Sequence, residues 1–251
     1  MPDLHVLRVF TDEDGGGGNP LGVFLAGLTV PPGRRQAVAA EVGFSETVFV
    51  DDPSRGVVQI FSPEMEIDFA GHPLVGTAWL LARERAAPKV LRPPAGEVPT
   101  RYEGHRTFVS GRPEWPPPFE WFELDSPAAV EALEAAPAGH DLAGAYAWTG
   151  EKTVRARVFP LRLGIEEDEA TGGAAVRLGA RLGRDVEIHQ GRGSIIHVHP
   201  RDDGLVEIGG RTTLDEVRPF PAWSSPAPSP RRGQRVAAAA TRRAGRERGQ
   251  A

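Results

Sequence analysis

The chain has 251 residues, of which 40% are hydrophobic and 25% charged, with a net charge of −5 and no cysteine. This composition is typical of a globular protein, and the lack of thiols excludes disulfides, thiolate metal sites and thiol catalysis. No run of about 18 apolar residues predicts a membrane span, and the N-terminus lacks the basic and apolar blocks of a signal peptide. A cytoplasmic protein with no membrane partner is therefore expected.

The first residues predict two strands joined by a glycine-rich turn. Residues 5–10 and 22–25 are short and mostly apolar, and four glycines at 15–18 lie between them. Neither a G-x-G-x-x-G pattern nor a Gly-Lys-Ser/Thr sequence fits this run, so it does not match a phosphate-binding loop. A flexible turn is the predicted role.

A helix and two strands follow, with an acidic residue at their junction. Residues 32–42 predict a helix that Gly43 caps, and residues 47–50 and 57–61 predict strands joined by a turn. Glu46 lies where the chain leaves the helix, just before the first of these strands. A single glutamate in such a place is usually solvated, so its position alone does not indicate catalysis.

Residues 69–81 predict a sharp turn into a helix. Gly71 permits backbone angles that other residues avoid, and Pro73 suits the first helical turn, where a missing N–H costs nothing. A helix start presents free N–H groups and the positive end of the helix dipole, which together hold small anions such as carboxylates. His72 lies beside this predicted anion site.

The same plan recurs later in the chain. A strand at 58–61 leads through a loop to the Gly71 helix, and a strand at 156–159 leads through a loop containing Asp168 to a helix that Gly172 begins. This pattern favours two similar halves, each directing a glycine-led helix start towards a shared cleft. Strand–loop–helix pairs are common in α/β chains, so the pattern alone does not establish the repeat.

The boundary between the halves is predicted in a proline-rich region. Residues 93–119 are rich in Pro, Gly and Arg, only 107–109 resemble a strand, and Pro116-Pro117-Pro118 excludes regular structure. We therefore predict an N-terminal half over residues 1–115 and a C-terminal half over 116–218. The elements predicted for the C-terminal half are a helix starting at Ser126-Pro127, strands at 143–148 and 153–159, a helix at 172–182 that stops at Gly183, and strands at 186–189, 194–199 and 205–208.

From Pro219 onward the composition changes. Residues 219–251 are dominated by Pro, Ser, Ala, Arg and Gly, and they carry seven arginines against one glutamate. So few large apolar residues do not bury enough surface to offset the entropy of ordering, which predicts a disordered tail. A basic tail can bind acidic surfaces, but the rest of the chain is acidic, so no nucleic-acid partner is expected.

The candidate residues outside any metal, nucleophile or nucleotide motif favour proton transfer. The sequence contains no zinc motif, nucleophile elbow or nucleotide fingerprint, so no metal site and no cofactor are predicted. What remains is two carboxylates, Glu46 and Asp168, one histidine, His72, and two helix starts. One such group can remove a proton and another return it, while the helix starts hold an anionic substrate.

Four stretches of the chain carry a family resemblance. They are, in chain order, Gly18-Asn19-Pro20-Leu21, Gly43-Phe44-Ser45-Glu46-Thr47-Val48-Phe49-Val50, Phe69-Ala70-Gly71-His72-Pro73-Leu74-Val75-Gly76-Thr77, and Glu167-Asp168-Glu169-Ala170-Thr171-Gly172. Their order and spacing resemble the PhzF family, the phenazine-biosynthesis-like isomerases and epimerases. A single motif of this kind would be weak evidence, whereas four in order are specific.

The resemblance implies an α+β fold of two similar domains, each a strongly curved β-sheet wrapped around a central helix, as in diaminopimelate epimerase. It implies an active site between the halves, in which Glu46 is the acid/base and in which His72 and Asp168 bind the substrate. The backbone N–H groups predicted to line this site are those of Gly71, Gly172 and Gly173. Homodimers are usual in the family. Diaminopimelate epimerase and proline racemase exchange protons through two cysteines, which this chain lacks, so carboxylate chemistry is implied instead.

The chain departs from the family pattern in its second half. The family usually has serine at the position of Gly173, and the stretch that follows Gln190-Gly191 is shortened here. Two hypotheses therefore stay open. The first is a cofactor-independent isomerase or epimerase that acts on a small carboxylic acid, and the second is a non-catalytic small-acid binding protein that retains the cleft.

Overall fold

The structure is a computed structural model that describes residues 2–85 and 87–221. Its strands are β1 (Asp3–Thr11), β2 (Gly17–Phe24), β3 (Glu46–Asp52), β4 (Val57–Phe61), β5 (Glu66–Ile67), β6 (Val90–Leu91), β7 (Val98–Glu103), β8 (Arg106–Gly111), β9 (Glu120–Glu123), β10 (Ala143–Trp148), β11 (Thr153–Phe159), β12 (Val186–Gln190), β13 (Ser194–Pro200) and β14 (Val206–Pro219). Its helices are α1 (Pro32–Val42), α2 (Gly71–Glu84), α3 (Pro127–Glu131) and α4 (Gly172–Leu182), with short 3-10 turns at Gly27–Thr29 and Leu161–Leu163.

The described strands form one large sheet that the last strand holds together. Their order is β5-β4-β3-β2-β1-β14-β13-β12-β11-β10-β9, and β8, β7 and β6 branch from β14. At Gly209, β14 lies between β13 and β8, and from Arg211 onward it runs antiparallel to β1. A strand from the second half of the chain thus completes the sheet of the first half. The boundary proposed at residue 116 stays a prediction.

Each part of the curved sheet wraps around a largely buried helix. α2 packs against β1, β2, β3, β8 and β14, and α4 packs against β13 and β14. A glycine in each helix permits the close contact. A Cβ on Gly76 would lie 2.6 Å from Leu21 Cδ2, and a Cβ on Gly179 would lie 2.5 Å from Val198 Cγ1. The predicted α+β architecture, with one central helix in each half, is confirmed.

Helix ends lie where local signals placed them. α1 ends at Gly43 and α4 ends at Gly183, both left-handed, with φ of 74° and 62°. Ser126 caps α3, because its Oγ accepts a hydrogen bond of 3.2 Å from the backbone N–H of Ala129. Among residues 2–85 and 87–221, no helix has both the length and the apolar character needed to cross a bilayer.

The glycine run is more ordered than the sequence predicts. Gly17 and Gly18 belong to β2 and not to a flexible turn. Arg8 Nη1, on the neighbouring strand β1, donates to the carbonyl oxygens of Gly15 and Gly17 at 2.7 and 2.9 Å. The turn predicted for the whole run is confined to residues before Gly17, and a side chain on the neighbouring strand holds it in place.

Two strands extend beyond their predicted limits. β7 lies in the proline-rich region, where only residues 107–109 were predicted as strand, and β14 continues to Pro219 instead of ending at residue 208. β7 pairs with β8, and the end of β14 pairs with β1 from the other end of the chain. Strand formation here depends on distant partners, which a short sequence window does not contain.

Phe220 corrects the predicted extent of the tail. Its side chain is 4% exposed and packs edge-on against Phe24, with ring centroids 5.4 Å apart. Its backbone N–H donates to the carbonyl of Pro2 at 2.9 Å. Phe220 is thus a core residue, not part of a disordered segment that begins at Pro219. The rest of the predicted tail, residues 222–251, lies outside the described residues.

We predict that Phe220→Ala destabilises the protein by about 3 kcal/mol, since it removes a buried aromatic ring. Val217→Ala is the matched control three residues earlier in the chain, because Val217 is 48% exposed, and it should change the free energy of unfolding by less than about 1 kcal/mol. Urea unfolding of the full chain measures both. Equal, small effects of the two substitutions would show that Phe220 does not contribute to the core.

Candidate active site

The starts of the two central helices meet at a pair of glycines. A Cβ on Gly172 would lie 2.7 Å from the backbone nitrogen of His72 and 2.8 Å from Gly71 Cα, and a Cβ on Gly71 would lie 2.7 Å from Gly172 Cα. Neither position has room for a side chain. The first N–H groups of both helices and the positive ends of both dipoles therefore lie side by side, which suits an anion.

Glu46 and His72 face each other across this meeting point. β3 begins at Glu46, and α2 carries His72 in its first turn. Glu46 Oε2 and His72 Nε2 are 3.3 Å apart, yet their alignment does not make a hydrogen bond. Both atoms are buried and have no hydrogen-bond partner among the described residues. Buried polar atoms are rarely left in this state, and exceptions are common at functional sites.

Burial changes the ionisation of both groups. Loss of hydration raises the pKa of Glu46 to about 7, against a weaker lowering by the Ser45 hydroxyl. Burial also lowers the pKa of His72 to about 4, which the charge of Asp168 and a hydrogen bond with the backbone of Pro20 only partly oppose. At pH 6 or so, the histidine is thus neutral and the glutamic acid largely protonated, so the close contact is not an ion pair.

Asp168 approaches from the second half of the chain. Its backbone N–H donates to the carbonyl of Val158 at 3.0 Å, which anchors the loop before α4. Its Oδ1 accepts from Asn19 Nδ2 at 2.8 Å, and its Oδ2 accepts from Thr171 Oγ1 at 2.6 Å. Burial and the neighbouring Glu46 raise the pKa of Asp168, while His72 and these two hydrogen bonds oppose the rise.

These groups border a cavity of about 450 Å³. The six residues predicted for the site all line it, namely Glu46, Gly71, His72, Asp168, Gly172 and Gly173. Their convergence is a property of the structure, whereas the roles predicted for them stay predictions. Within the described part of the chain, no group of three or more His, Asp or Glu side chains is arranged to hold a metal ion.

The sequence analysis missed one wall of the cavity. The segment Glu114–Phe119, which we call the proline strap, lies over the start of α4 and lines the cavity with Trp115 and three prolines. Trp115 packs against Phe69 with ring centroids 5.5 Å apart. The three prolines were predicted only as a break in regular structure, and no local signal places them at the site.

Arg177 is a further part of the cavity wall that the sequence did not predict. Its Nε and Nη2 both donate to the carbonyl of Pro116, at 3.2 and 2.9 Å, so it fixes the proline strap on α4. Among the described residues that line the cavity, it supplies the one guanidinium or ammonium group. Its spacing of four residues from Gly173, one helical turn, is the signal that would have placed it on the same face.

A larger open depression of about 820 Å³ lies on the other side of Asp168. Two of its arginines are already paired, because Arg155 binds Glu131 and Arg157 Nη2 lies 2.6 Å from Glu167 Oε2. The smaller cavity is the better candidate site, since it contains the unpaired buried atoms and both helix starts.

The fold and the site define a class of α+β proteins in which two central helices start side by side at a cleft lined by carboxylates. Sequence comparison identifies the family. A sequence model of the PhzC-PhzF family, the phenazine biosynthesis-like proteins, matches residues 7–154. The chain belongs to this family of PhzF-like isomerases and epimerases.

Two curated relatives are trans-2,3-dihydro-3-hydroxyanthranilate isomerases. The chain is 29% identical to that of Pseudomonas fluorescens and 30% identical to that of Pseudomonas chlororaphis, each over 217 residues that cover 70% of this chain and 78% of the relative. A crystal structure of a phenazine biosynthesis PhzC/PhzF protein from Clostridium difficile superposes with a TM-score of 0.73 at 19% identity, over 88% of this chain and 100% of that one. At that identity the structural match supports the fold alone.

We predict that Gly172→Ala destabilises the protein by about 1–3 kcal/mol, because the new methyl group would collide with backbone atoms that cannot rotate away. Gly33→Ala is the control, since a Cβ there meets nothing within 4 Å. In helix α1 it should be neutral or stabilising by up to about 1 kcal/mol. Thermal unfolding of both variants tests this contrast, and a Gly172→Ala variant as stable as Gly33→Ala would refute the close contact.

Proposed function

We propose that the protein is a cofactor-independent isomerase or epimerase that moves a proton on a small carboxylic acid in the cleft between the two halves. The observation that carries the proposal is the buried, unpaired contact of Glu46 Oε2 and His72 Nε2 at 3.3 Å, beside two helix starts. A carboxyl group with a pKa raised to about 7 can accept and return a proton near neutral pH, which is what general acid–base catalysis requires.

The helix starts are suited to hold the substrate's carboxylate. The backbone N–H groups at Gly71, Gly172 and Gly173 border the cavity, and Arg177 adds a positive charge along its wall. His72 is neutral above about pH 4, so we assign it a hydrogen-bonding role and not a charge-pairing role. Phe69 and Trp115 add an apolar part to the cavity wall.

The proposed reaction is a balanced proton shift. Ionised Glu46 removes a proton from a carbon next to an activating group, and the electron pair of that C–H bond enters the conjugated system of the acid. The same carboxylic acid then returns a proton to another carbon or to the other face of the first. No atom or electron is lost, so the product is an isomer of the substrate. Preorganised N–H groups stabilise the negative charge that develops between the two steps.

The names of the relatives provide a first substrate to test. Because two relatives are trans-2,3-dihydro-3-hydroxyanthranilate isomerases, we propose this acid as the first probe for the present chain. Incorporation of solvent deuterium into the acid reports proton exchange directly. Binding without exchange for a panel of small acids would favour the alternative function, a non-catalytic small-acid binding protein. A homodimer is the assembly that the family resemblance implies, and it stays a prediction.

Glu46→Gln should reduce deuterium exchange by roughly 10²–10⁴-fold, the usual contribution of general acid–base catalysis. The amide keeps the shape of the side chain but does not accept the proton, so affinity for the acid should change little. Glu66→Gln is the matched control, because Glu66 lines the same cavity but is exposed and bonded to Gln59. Undiminished exchange in Glu46→Gln would remove Glu46 from the mechanism.

The pH profile should report the raised pKa of Glu46. Above its folded-state pKa of about 7, Glu46 is ionised and can act as the base, so kcat/KM for exchange should rise through about pH 7 and then level off. His72 should add no inflection near neutral pH, because its pKa lies at about 4. Exchange measured between about pH 5 and about pH 9 tests this, and a flat profile with chemistry rate-limiting would contradict the assignment.

A further inference from the structure

We propose that Asn19, Thr171 and Gln190 are positioning residues that keep Asp168 ionised, so that the exchangeable proton resides on Glu46. We call these three residues the aspartate clamp. The proposal rests on the function proposed above and deepens it, because it states which of the two carboxyl groups in the cleft carries the proton and what decides this. Asn19 lies on β2, Thr171 precedes α4, and Gln190 ends β12.

The clamp uses both oxygens of Asp168 as acceptors. Asn19 Nδ2 donates to Oδ1 at 2.8 Å and also to the carbonyl of Ala170 at 2.9 Å. Turning the Asn19 amide over would place its oxygen against these two oxygens, so its orientation is fixed by its partners. The amide nitrogen therefore always donates to Asp168 and never accepts from it.

Gln190 holds Thr171, the donor of the second bond, in place. Its Nε2 donates to the backbone carbonyl of Asp168 at 2.8 Å and to Thr171 Oγ1 at 3.0 Å, while its Oε1 accepts from the Thr171 N–H at 3.3 Å. Thr171 Oγ1 accepts from Gln190, and Asp168 Oδ2, 2.6 Å away, is the one acceptor that its own hydrogen reaches among the described residues. A proton on Asp168 Oδ2 that is donated to Thr171 would leave the Thr171 hydrogen without this acceptor.

Glu46 has no comparable set of donors. Its Oε2 lacks a hydrogen-bond partner among the described residues, and the hydroxyl of Ser45 is the one hydrogen-bond donor that opposes protonation. That hydroxyl has a single hydrogen, which Asn19 Oδ1 also accepts at 3.3 Å, so Glu46 does not hold this donor exclusively. Glu46 therefore has both the space and the free lone pairs to carry a proton.

The charges that face Asp168 do not by themselves decide whether Asp168 or Glu46 carries the proton. They are Glu46 on β3, which raises the pKa of Asp168, and His72 on α2, which lowers it only when the imidazole is protonated. Both carboxyl groups are buried, and the charge of Glu46 opposes ionisation of Asp168, so the two do not both ionise readily. The hydrogen bonds of the clamp favour ionisation of Asp168 over that of Glu46, since hydrogen bonds to the charged form of a group favour that form.

Thr171→Val tests the clamp with little other disturbance. Valine keeps the branched shape of threonine but lacks the hydroxyl that donates to Asp168. The Thr171 side chain makes no capping hydrogen bond to α4, so the start of the helix should be unaffected. Thr171→Ser is the matched rescue variant, because it restores the hydroxyl. Gln190→Met is a second variant, which leaves Thr171 in place but removes the amide that donates to Thr171 Oγ1 and to the backbone carbonyl of Asp168.

The measurement is a 13C NMR titration of the aspartate and glutamate carboxyl carbons in the ligand-free full chain, with Glu46→Gln and Asp168→Asn used to assign signals. In the unmodified protein, Glu46 should titrate at about 7 while Asp168 stays ionised to lower pH. Thr171→Val should raise the pKa of Asp168 by roughly 1–2, the value of a lost charge-assisted hydrogen bond, and Gln190→Met should raise it in the same direction. Thr171→Ser should restore the original titration.

Two results would overturn the proposal. One is an Asp168 that holds its proton while Glu46 ionises in the unmodified protein, and the other is a Thr171→Val variant that titrates unchanged. Thermal unfolding of each variant confirms that the titration reports a folded protein. The titration needs no substrate, so the two proposals can fail separately. Absence of deuterium exchange would count against the proposed function but not against the assignment of the proton to Glu46. A contrary titration would count against that assignment but not against the proposed function.

Discussion

The close contact of Gly71 with Gly172 is the constraint on which the site depends. It requires two residues without side chains, and it brings the starts of two helices from different halves of the chain within van der Waals distance. Each helix is held in its own part of the sheet by a further glycine, Gly76 or Gly179, pressed against a strand. The sheet therefore fixes the helices, and the helices fix the place where two positive dipole ends meet.

This arrangement removes two acidic groups from water. Glu46 and Asp168 lose hydration in the cleft, and burial raises the pKa of both. The structure compensates the two carboxyl groups differently. Asp168 receives hydrogen bonds from Asn19 and Thr171, whereas Glu46 Oε2 receives none among the described residues. Unequal compensation of two neighbouring acids is a physical basis for assigning them different tasks, since it separates their proton affinities.

The features that were predictable from the sequence are those with local causes. Gly43, Ser126 and Gly183 mark helix ends correctly, because a left-handed residue or a capping side chain acts within one turn. The convergence of Glu46, His72 and Asp168 was expected from the family resemblance, and the geometry agrees. β7, the end of β14 and the burial of Phe220 were missed, because each depends on a partner far away in the chain. Phe220, for example, contacts Phe24 and Pro2.

The absence of a side chain at residue 173 has a structural counterpart in the proline strap. A Cβ on Gly173 would lie 3.1 Å from Pro116 Cβ, so a serine there and the strap in its present position would compete for the same space. Arg177, one turn further along α4, holds the strap in place through two hydrogen bonds to the Pro116 carbonyl. The glycine, the strap and the arginine therefore form one arrangement, in which Pro116 lies against Gly173 and is held there by Arg177. Because a helix start binds anions through its backbone N–H groups, the proposed carboxylate site does not require a side chain at residue 173.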